Sequence, residues 1–208
     1  MNDRIVYKMD HQSGATLVTT LLMLLVVLML GISSAQIAVQ GEKSSRNDRD
    51  RQIAFQAAEA ALMDAESDIE HSPDAGKSRS HLFSNGSALG FPGETGDACG
   101  SGEQNIYLGL CRHAAEGMPP VWYTVNFLDA VANTSSSVPY GRFTGQSFQT
   151  GSASLPVRVP RYIVELMVYK KAGLRADERS YFYRITAVGF GTRETTQVAL
   201  QTVYRKAN

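Results

Sequence analysis

The chain has 208 residues, room for one globular domain and an extended element but not for two comfortable domains. Its 20 basic and 20 acidic side chains cancel. That balance excludes a global field gathering nucleic acid or anionic lipid by charge alone, and no direct nucleic-acid binding is expected.

The apolar residues are concentrated near the N-terminus. From Gln12 to Gly41 there is no Asp, Glu, Lys, Arg or His, and Ala15 to Ile32 reads ATLVTTLLMLLVVLMLGI. Eleven of those positions are Leu, Val or Ile, which favours membrane insertion by about −3 to −6 kcal/mol before the smaller cost of three threonines. Ala15 to Val39 supplies the length a bilayer-crossing helix needs. Three readings of this start compete. An uncleaved anchor is the simplest. A secretory signal would use Ser33-Ser34-Ala35 as its cleavage site and leave a periplasmic protein beginning at Gln36, although the apolar stretch is long for one. The third reading rests on Gln12-Ser13-Gly14-Ala15-Thr16-Leu17-Val18, a short polar leader ending in glycine directly before an unbroken apolar helix.

That third pattern resembles the class III leader of type IV prepilins. The resemblance extends to RDRQIAFQAAEAALMDAE (Arg49 to Glu66) and YRITAVGFGTRETTQVALQTVYRK (Tyr183 to Lys206), which together look like the PilX branch of minor pilins. AFQAAEAAL and YRITAVGFG are the more specific parts. The resemblance implies cleavage after Gly14 by a prepilin peptidase, methylation of the new terminus Ala15, and a filament-core helix including Leu17, Val18, Thr19, Leu21 and Leu22. It also implies no cofactor and no catalytic role. The implied partners are other minor pilins, the major pilin and an inner-membrane assembly platform. The implied location is the inner membrane, with the C-terminus in the periplasm, and then the filament or its tip. Adhesion, twitching motility and DNA uptake are the processes such filaments serve. The chain departs from the family at Thr19, where most pilins carry a glutamate that pairs with a neighbour's terminal amine. Either Thr19 marks a tip subunit, or Gly14 is not the cleavage site. A secretion-system pseudopilin is the related alternative.

Past Gly41 the helix is expected to continue. Arg46 to Arg51 alternates charge in the manner of a solvated helix surface. Phe55, Ala58, Leu62, Ala65 and Ile69 recur at spacings of three and four, one face ready to pack on a sheet. Neighbouring alanines keep the helix narrow, and Pro73 ends it. Ala15 to His71 would thus form one helix, about 85 Å long at 1.5 Å per residue. Glu59, Asp64, Glu66, Asp68 and Glu70 read as its solvated face. The organisation expected is a leader (1–14), a long helix (15–72) and a globular head (73–208).

Residues 73–104 hold seven of the eighteen glycines and read as loop. Cys99 and Cys111 are the only cysteines. In an oxidising compartment such a pair forms a disulfide; a metal site with His113 and free thiols are the alternatives. Val121 to Phe127 is a weak strand candidate, and Asn133 to Ser154 a polar surface excursion. Arg161–Lys171, Ser180–Phe190 and Thr196–Arg205 are β-branched and aromatic-rich, with Val198, Leu200, Thr202 and Tyr204 on one side of the last strand. Short turns, Ala172-Gly173 and Gly191 to Glu194, favour antiparallel neighbours. The expected class is α+β, a long helix packed on a C-terminal antiparallel sheet. The histidines meet no metal-type spacing, no GxSxG, HExxH or P-loop occurs, and Gly189-Phe190-Gly191 reads as a sheet or turn feature. Trp122 and Tyr123 read as packing residues of the head.

Overall fold

A computed structural model describes residues 15–93, 96–169 and 180–206. Gly14, Lys170, Lys171 and the expected turn at Ala172-Gly173 lie outside the described residues. In chain order come helix α1 (Ala15–Glu70), a 3-10 turn (Ser80–Leu82), strand β1 (Leu110–Arg112), the one-turn helix α2 (Val121–Thr124), and strands β2 (Val138–Pro139), β3 (Arg161–Tyr169), β4 (Ser180–Phe190) and β5 (Gln197–Tyr204). The chain divides into two compact units, Met1–Asn47 and Asp48–Asn208, and α1 contributes to both.

In the first unit every described residue is exposed. The helix is held by its own backbone and, further along, by the Glu42–Arg46 ion pair at i,i+4 spacing.

In the second unit the sheet order is β1-β3-β4-β5, with β2 also paired to β3. β3–β4 and β4–β5 are antiparallel, as the three rich segments and their turn signals suggest. The sheet as a whole is mixed, because β1 joins β3 in parallel (Leu110 opposite Val164). β1 and β2 share the edge of β3 that β4 leaves open. Nothing local announces them; they are strands only because β3 offers that edge.

Alternation along β3 and β4 feeds two cores. Tyr162, Val164, Tyr183, Ile185 and Ala187 face α1 and pack with Ala61, Ala65 and Ile69. Ile163, Val188 and Phe190 face the other way, against Cys99, Cys111, Val121 and Phe127. Complete burial of Ile163, Ile185 and Phe190 stabilises the fold by about 1.5–3 kcal/mol each relative to exposure. A central strand buried on both faces shows no clean alternation of apolar and polar residues, which is how β3 and β4 read.

The helix face that packs on the sheet is rotated from the expected one. Ala54, Ala57, Ala58, Ala61, Ala65 and Ile69 are buried, Leu62 is at the margin, and Phe55 is 37% exposed. The reason is Gly189. A Cβ there would collide with the backbone of Ala54 and Ala58, so helix and strand approach at a spacing only small side chains permit. The alanines are the contact itself.

Two other expectations are corrected. Val121–Phe127 forms no strand: Val121–Thr124 is a helical turn that begins directly after Pro120, which stands at its N-cap with extended backbone (φ −57°, ψ 142°), and β3 has no free edge to pair with it. Nor is Asn133–Ser154 simply a surface excursion. It contributes β2 and buries Ser135, Ser137, Val138, Phe143 and Thr144. Arg161 explains part of this, donating to the hydroxyls of Ser135 (2.6 Å) and Ser137 (2.8 Å).

Candidate functional site

The most unusual surface on the chain is the first part of α1. Leu17 is 72% exposed, Leu21 63% and Met23 74%, and the pattern continues through Val39. Scattered exposed leucines are ordinary, but a continuous apolar surface of this extent marks contact with lipid or protein. By length and composition the segment can cross a membrane. Its polar groups do not oppose this. Thr19 and Thr20 donate their hydroxyls to the carbonyls of Thr16 and Leu17, and Ser33 and Ser34 to those of Met29 and Leu30, all at 2.9 Å. Each hydroxyl is thus satisfied within the helix, which removes most of the cost of taking it out of water. Ala15, Leu17, Val18, Thr19, Leu21 and Leu22 are all exposed on this segment.

Within the second unit, three aspartates of α1, Asp50, Asp64 and Asp68, tie the helix to distant parts of the chain. Asp50 accepts bonds from the Thr192 N–H (2.5 Å) and the hydroxyls of Thr192 (2.7 Å) and Thr196 (2.5 Å), and from Arg193 Nε at 3.3 Å. Burial raises its pKa, but the bonds from Thr196, Thr192 and Arg193 outweigh that and hold it down at about 2. Asp64 accepts the Gly141 N–H at 2.8 Å and the Thr144 hydroxyl. Its pKa is raised because desolvation exceeds the help of those two donors. Asp68 accepts Arg79 Nη2 at 2.7 Å and the Tyr162 hydroxyl at 2.9 Å. Arg79 also donates to the carbonyls of Ile106 and Leu108 and lies over the Phe143 ring.

These contacts correct the sequence reading. Asp64 and Asp68 do not belong to a solvated helix face; both are almost wholly buried. Asp50, within the charged run, is a cap for the β4–β5 turn. Arg79 sits in a glycine-rich stretch with no periodic signal, and nothing in the sequence marks it.

Cys99 and Cys111 are joined in a disulfide, with Cα atoms 4.1 Å apart. The bond occupies both sulfurs, which removes them as metal ligands with His113. That histidine instead meets Glu165 at 2.6 Å, and Arg184 holds the same buried carboxylate from the opposing strand. Trp122 packs against the second core as expected, whereas Tyr123 is exposed.

The family model for the PilX N-terminal region matches residues 13–62, and that for the type IV pilus assembly protein PilX C-terminal region matches residues 107–206. The chain belongs to the PilX family of type IV pilus assembly proteins. The N-terminal PilX match covers the exposed apolar helix and the alanine face that packs on Gly189. The C-terminal match covers every strand. Residues 63–106 lie between the two matches and contain Asp64, Asp68, Arg79 and Cys99, so the buried ion pair and one half of the disulfide fall outside both. No curated protein and no solved structure matches the chain. Membership of a pilus assembly family points to other pilus components as partners and to association with a membrane.

Proposed function

We propose that this PilX-family chain is a minor pilin that primes or tips a type IV filament. In this reading it inserts in the inner membrane with its head in the periplasm. A prepilin peptidase cuts after Gly14, and Ala15, then methylated, is the mature terminus. The apolar helix, including Leu17, Val18, Thr19, Leu21 and Leu22, then leaves lipid for the filament core, among other minor pilins and the major pilin on the assembly platform. Pilus-dependent adhesion or motility is the process served.

One observation supports this reading above the rest: the PilX match falls on a helix that from Ala15 to Gly41 carries no charge, is largely apolar and is exposed throughout. Protein contacts in a filament can replace lipid contacts on such a surface without stranding a polar group. Thr19 fits the tip position. A neutral hydroxyl has no charge to offer a terminal amine ahead of it, and here it donates to the Thr16 carbonyl of the same helix. The Cys99–Cys111 disulfide fits an oxidising compartment for the head.

The test is the mature N-terminus, read by mass spectrometry after expression in a bacterial membrane with and without a prepilin peptidase. A peptidase-dependent start at Ala15, together with recovery of the chain in sheared filaments, is the expected result. A start at Gln36, or an intact Met1 in the presence of active peptidase, contradicts the proposal.

A further inference from the structure

The sheet has one protected edge and one open edge. At the protected edge, β1 and β2 are short and β2 ends in Pro139. The open edge is β5. The direction of its backbone groups follows from the ladder. Val164 of β3 gives its N–H to Gly109, on the β1 side, at 2.8 Å. Even-numbered residues of β3 therefore bond that way and odd-numbered ones bond β4. Carried across the register, Gly189, Ala187, Ile185 and Tyr183 bond Val198, Leu200, Thr202 and Tyr204. The Gly191 N–H on the Thr196 carbonyl, at 2.8 Å, continues the series. The N–H and C=O groups of Gln197, Ala199, Gln201 and Val203 therefore point away from the sheet, and no described backbone group bonds them.

Exposed edges are ordinarily blunted by charge, proline or a bulge. β5 reads Gln-Val-Ala-Leu-Gln-Thr-Val-Tyr, with none of these, and keeps its register unbroken from Gln197 to Tyr204. Beside it runs α1: Gly189, opposite Val198, touches Ala54 and Ala58, while the Tyr204 hydroxyl bonds Glu70 at 2.9 Å. Phe55, Glu59, Leu62 and Glu66 follow at spacings of three and four on the flank of α1 that lies towards β5. Phe55 is partly open, Leu62 and Tyr204 each pack against the margin of the same core, and the carboxylates of Glu59 and Glu66 have no hydrogen bond or ion pair among the described residues. A strand added to β5 would place alternate side chains over that flank. Basic and apolar side chains suit it by charge and by surface.

We infer that the free edge of β5 receives a β-strand from another chain, an extended segment presenting basic and apolar side chains to the Phe55–Glu66 flank of α1. Main-chain hydrogen bonds would supply binding, and the flank would select the sequence. The inference concerns the head alone and stands whether or not Gly14 is the cleavage site.

The test uses the full chain in a zwitterionic detergent and a labelled synthetic peptide repeating Lys-Thr-Val-Thr, with Glu in place of Lys as the control. Binding is followed by fluorescence anisotropy and by amide hydrogen exchange. The expected result is slowed exchange at Ala199, Gln201 and Val203 with the lysine peptide, and affinity weaker by about tenfold or more for the glutamate peptide. Ala199→Pro removes only an outward N–H, a substitution edge strands tolerate, and should weaken binding by about tenfold or more with the disulfide intact. Equal binding of the two peptides, unchanged exchange at the three amides, or full binding by a folded Ala199→Pro protein overturns the inference. If Ala199→Pro fails to fold, exchange in the unmodified chain decides.

Discussion

Arg79 and Asp68 meet at 2.7 Å with neither side chain open to solvent. The pair links the last turns of α1 to the loop before β1, since the same guanidinium donates to the carbonyls of Ile106 (2.9 Å) and Leu108 (2.7 Å). A buried pair of this kind is weak evidence of net stabilisation, but breaking it from one side is costly because a charge is left without a partner. Arg79→Leu is therefore expected to destabilise the head by about 3–5 kcal/mol. Urea unfolding followed through Trp122, the only tryptophan, measures this. The double replacement Arg79→Leu with Asp68→Leu should recover a substantial part of the loss. An Arg79→Leu protein as stable as the original would mean that water reaches Asp68.

Two glycines of different standing separate packing from propensity. Gly189→Ala pushes a methyl into the backbone of Ala54 and Ala58, and α1 must move off the sheet. A loss of about 1–3 kcal/mol is expected, the usual cost of overpacking. Gly41→Ala meets nothing and should leave the head unchanged while favouring the helix by up to about 1 kcal/mol. Unfolding curves of the two variants, measured side by side, should move in opposite directions or show Gly41→Ala unmoved.

Asp50 makes the β4–β5 turn sensitive to acid. Its folded-state pKa, about 2, lies below the ordinary 3.8. The stabilisation it gives is complete above the unfolded value and disappears as pH falls from about 4 towards 2. Asp64 works in the opposite sense: its raised pKa means the folded state holds the proton more tightly, so that stability declines as pH rises past the ordinary value. Asp50→Asn should flatten the acid limb of a stability–pH profile, and Asp64→Asn should steepen the net gain with pH. An unchanged acid limb in Asp50→Asn would remove this assignment.

The disulfide is placed to resist reduction. Cys99 is 5% exposed and Cys111 fully buried, so a reductant should reach the bond only when the head opens. Alkylation after mild reductant, read by mass spectrometry, is expected to leave both sulfurs protected, and to label both once urea is added. Cys99→Ser with Cys111→Ser should cost about 3 kcal/mol in the chain-entropy account for a loop of this length. Ready labelling without denaturant would show that the loop around Cys99 opens locally.

The filament reading predicts an asymmetric response at Thr19. Thr19→Glu places a carboxylate in the apolar segment, which is tolerated when it finds a positive partner. If the subunit occupies the tip, the substitution should reduce filament number without lowering the amount of folded protein in the membrane. Counting filaments by electron microscopy and measuring membrane-bound protein by immunoblot separates the two effects. Unchanged filament number would argue against a position that depends on the absence of charge at Thr19.

Much of the fold was legible because the signals are local. The apolar run from Ala15 needs no partner to be recognised, and the helix ends at Glu70, close to the proline that limits it. The β3, β4 and β5 segments are dense in β-branched and aromatic residues, and the pair Cys99–Cys111 has no competing cysteine. The PilX resemblance rests on stretches at both ends of the chain; the family models match those ends, and the C-terminal one reaches back to residue 107, well before Tyr183. Legibility failed where a residue's environment is set from far away. Asp50 meets Thr192 across 142 positions, Asp64 meets Thr144 across 80, and Tyr162 meets Asp68 across 94. Carboxylates on an amphipathic helix read as solvated unless a distant donor is known, and these three have one.

The sequence by itself therefore determined the long helix, its apolar first half, the three-stranded C-terminal core and the family, because periodicity and composition act within one element. Tertiary structure decided which face of α1 is buried, that β1 and β2 exist, that Val121 begins a helical turn, and that Asp64, Asp68 and Arg79 are interior. Each of those depends on a partner supplied by another part of the chain: the missing Cβ of Gly189, the vacant edge of β3, or a buried donor. Folding brings these together, and no local pattern encodes them.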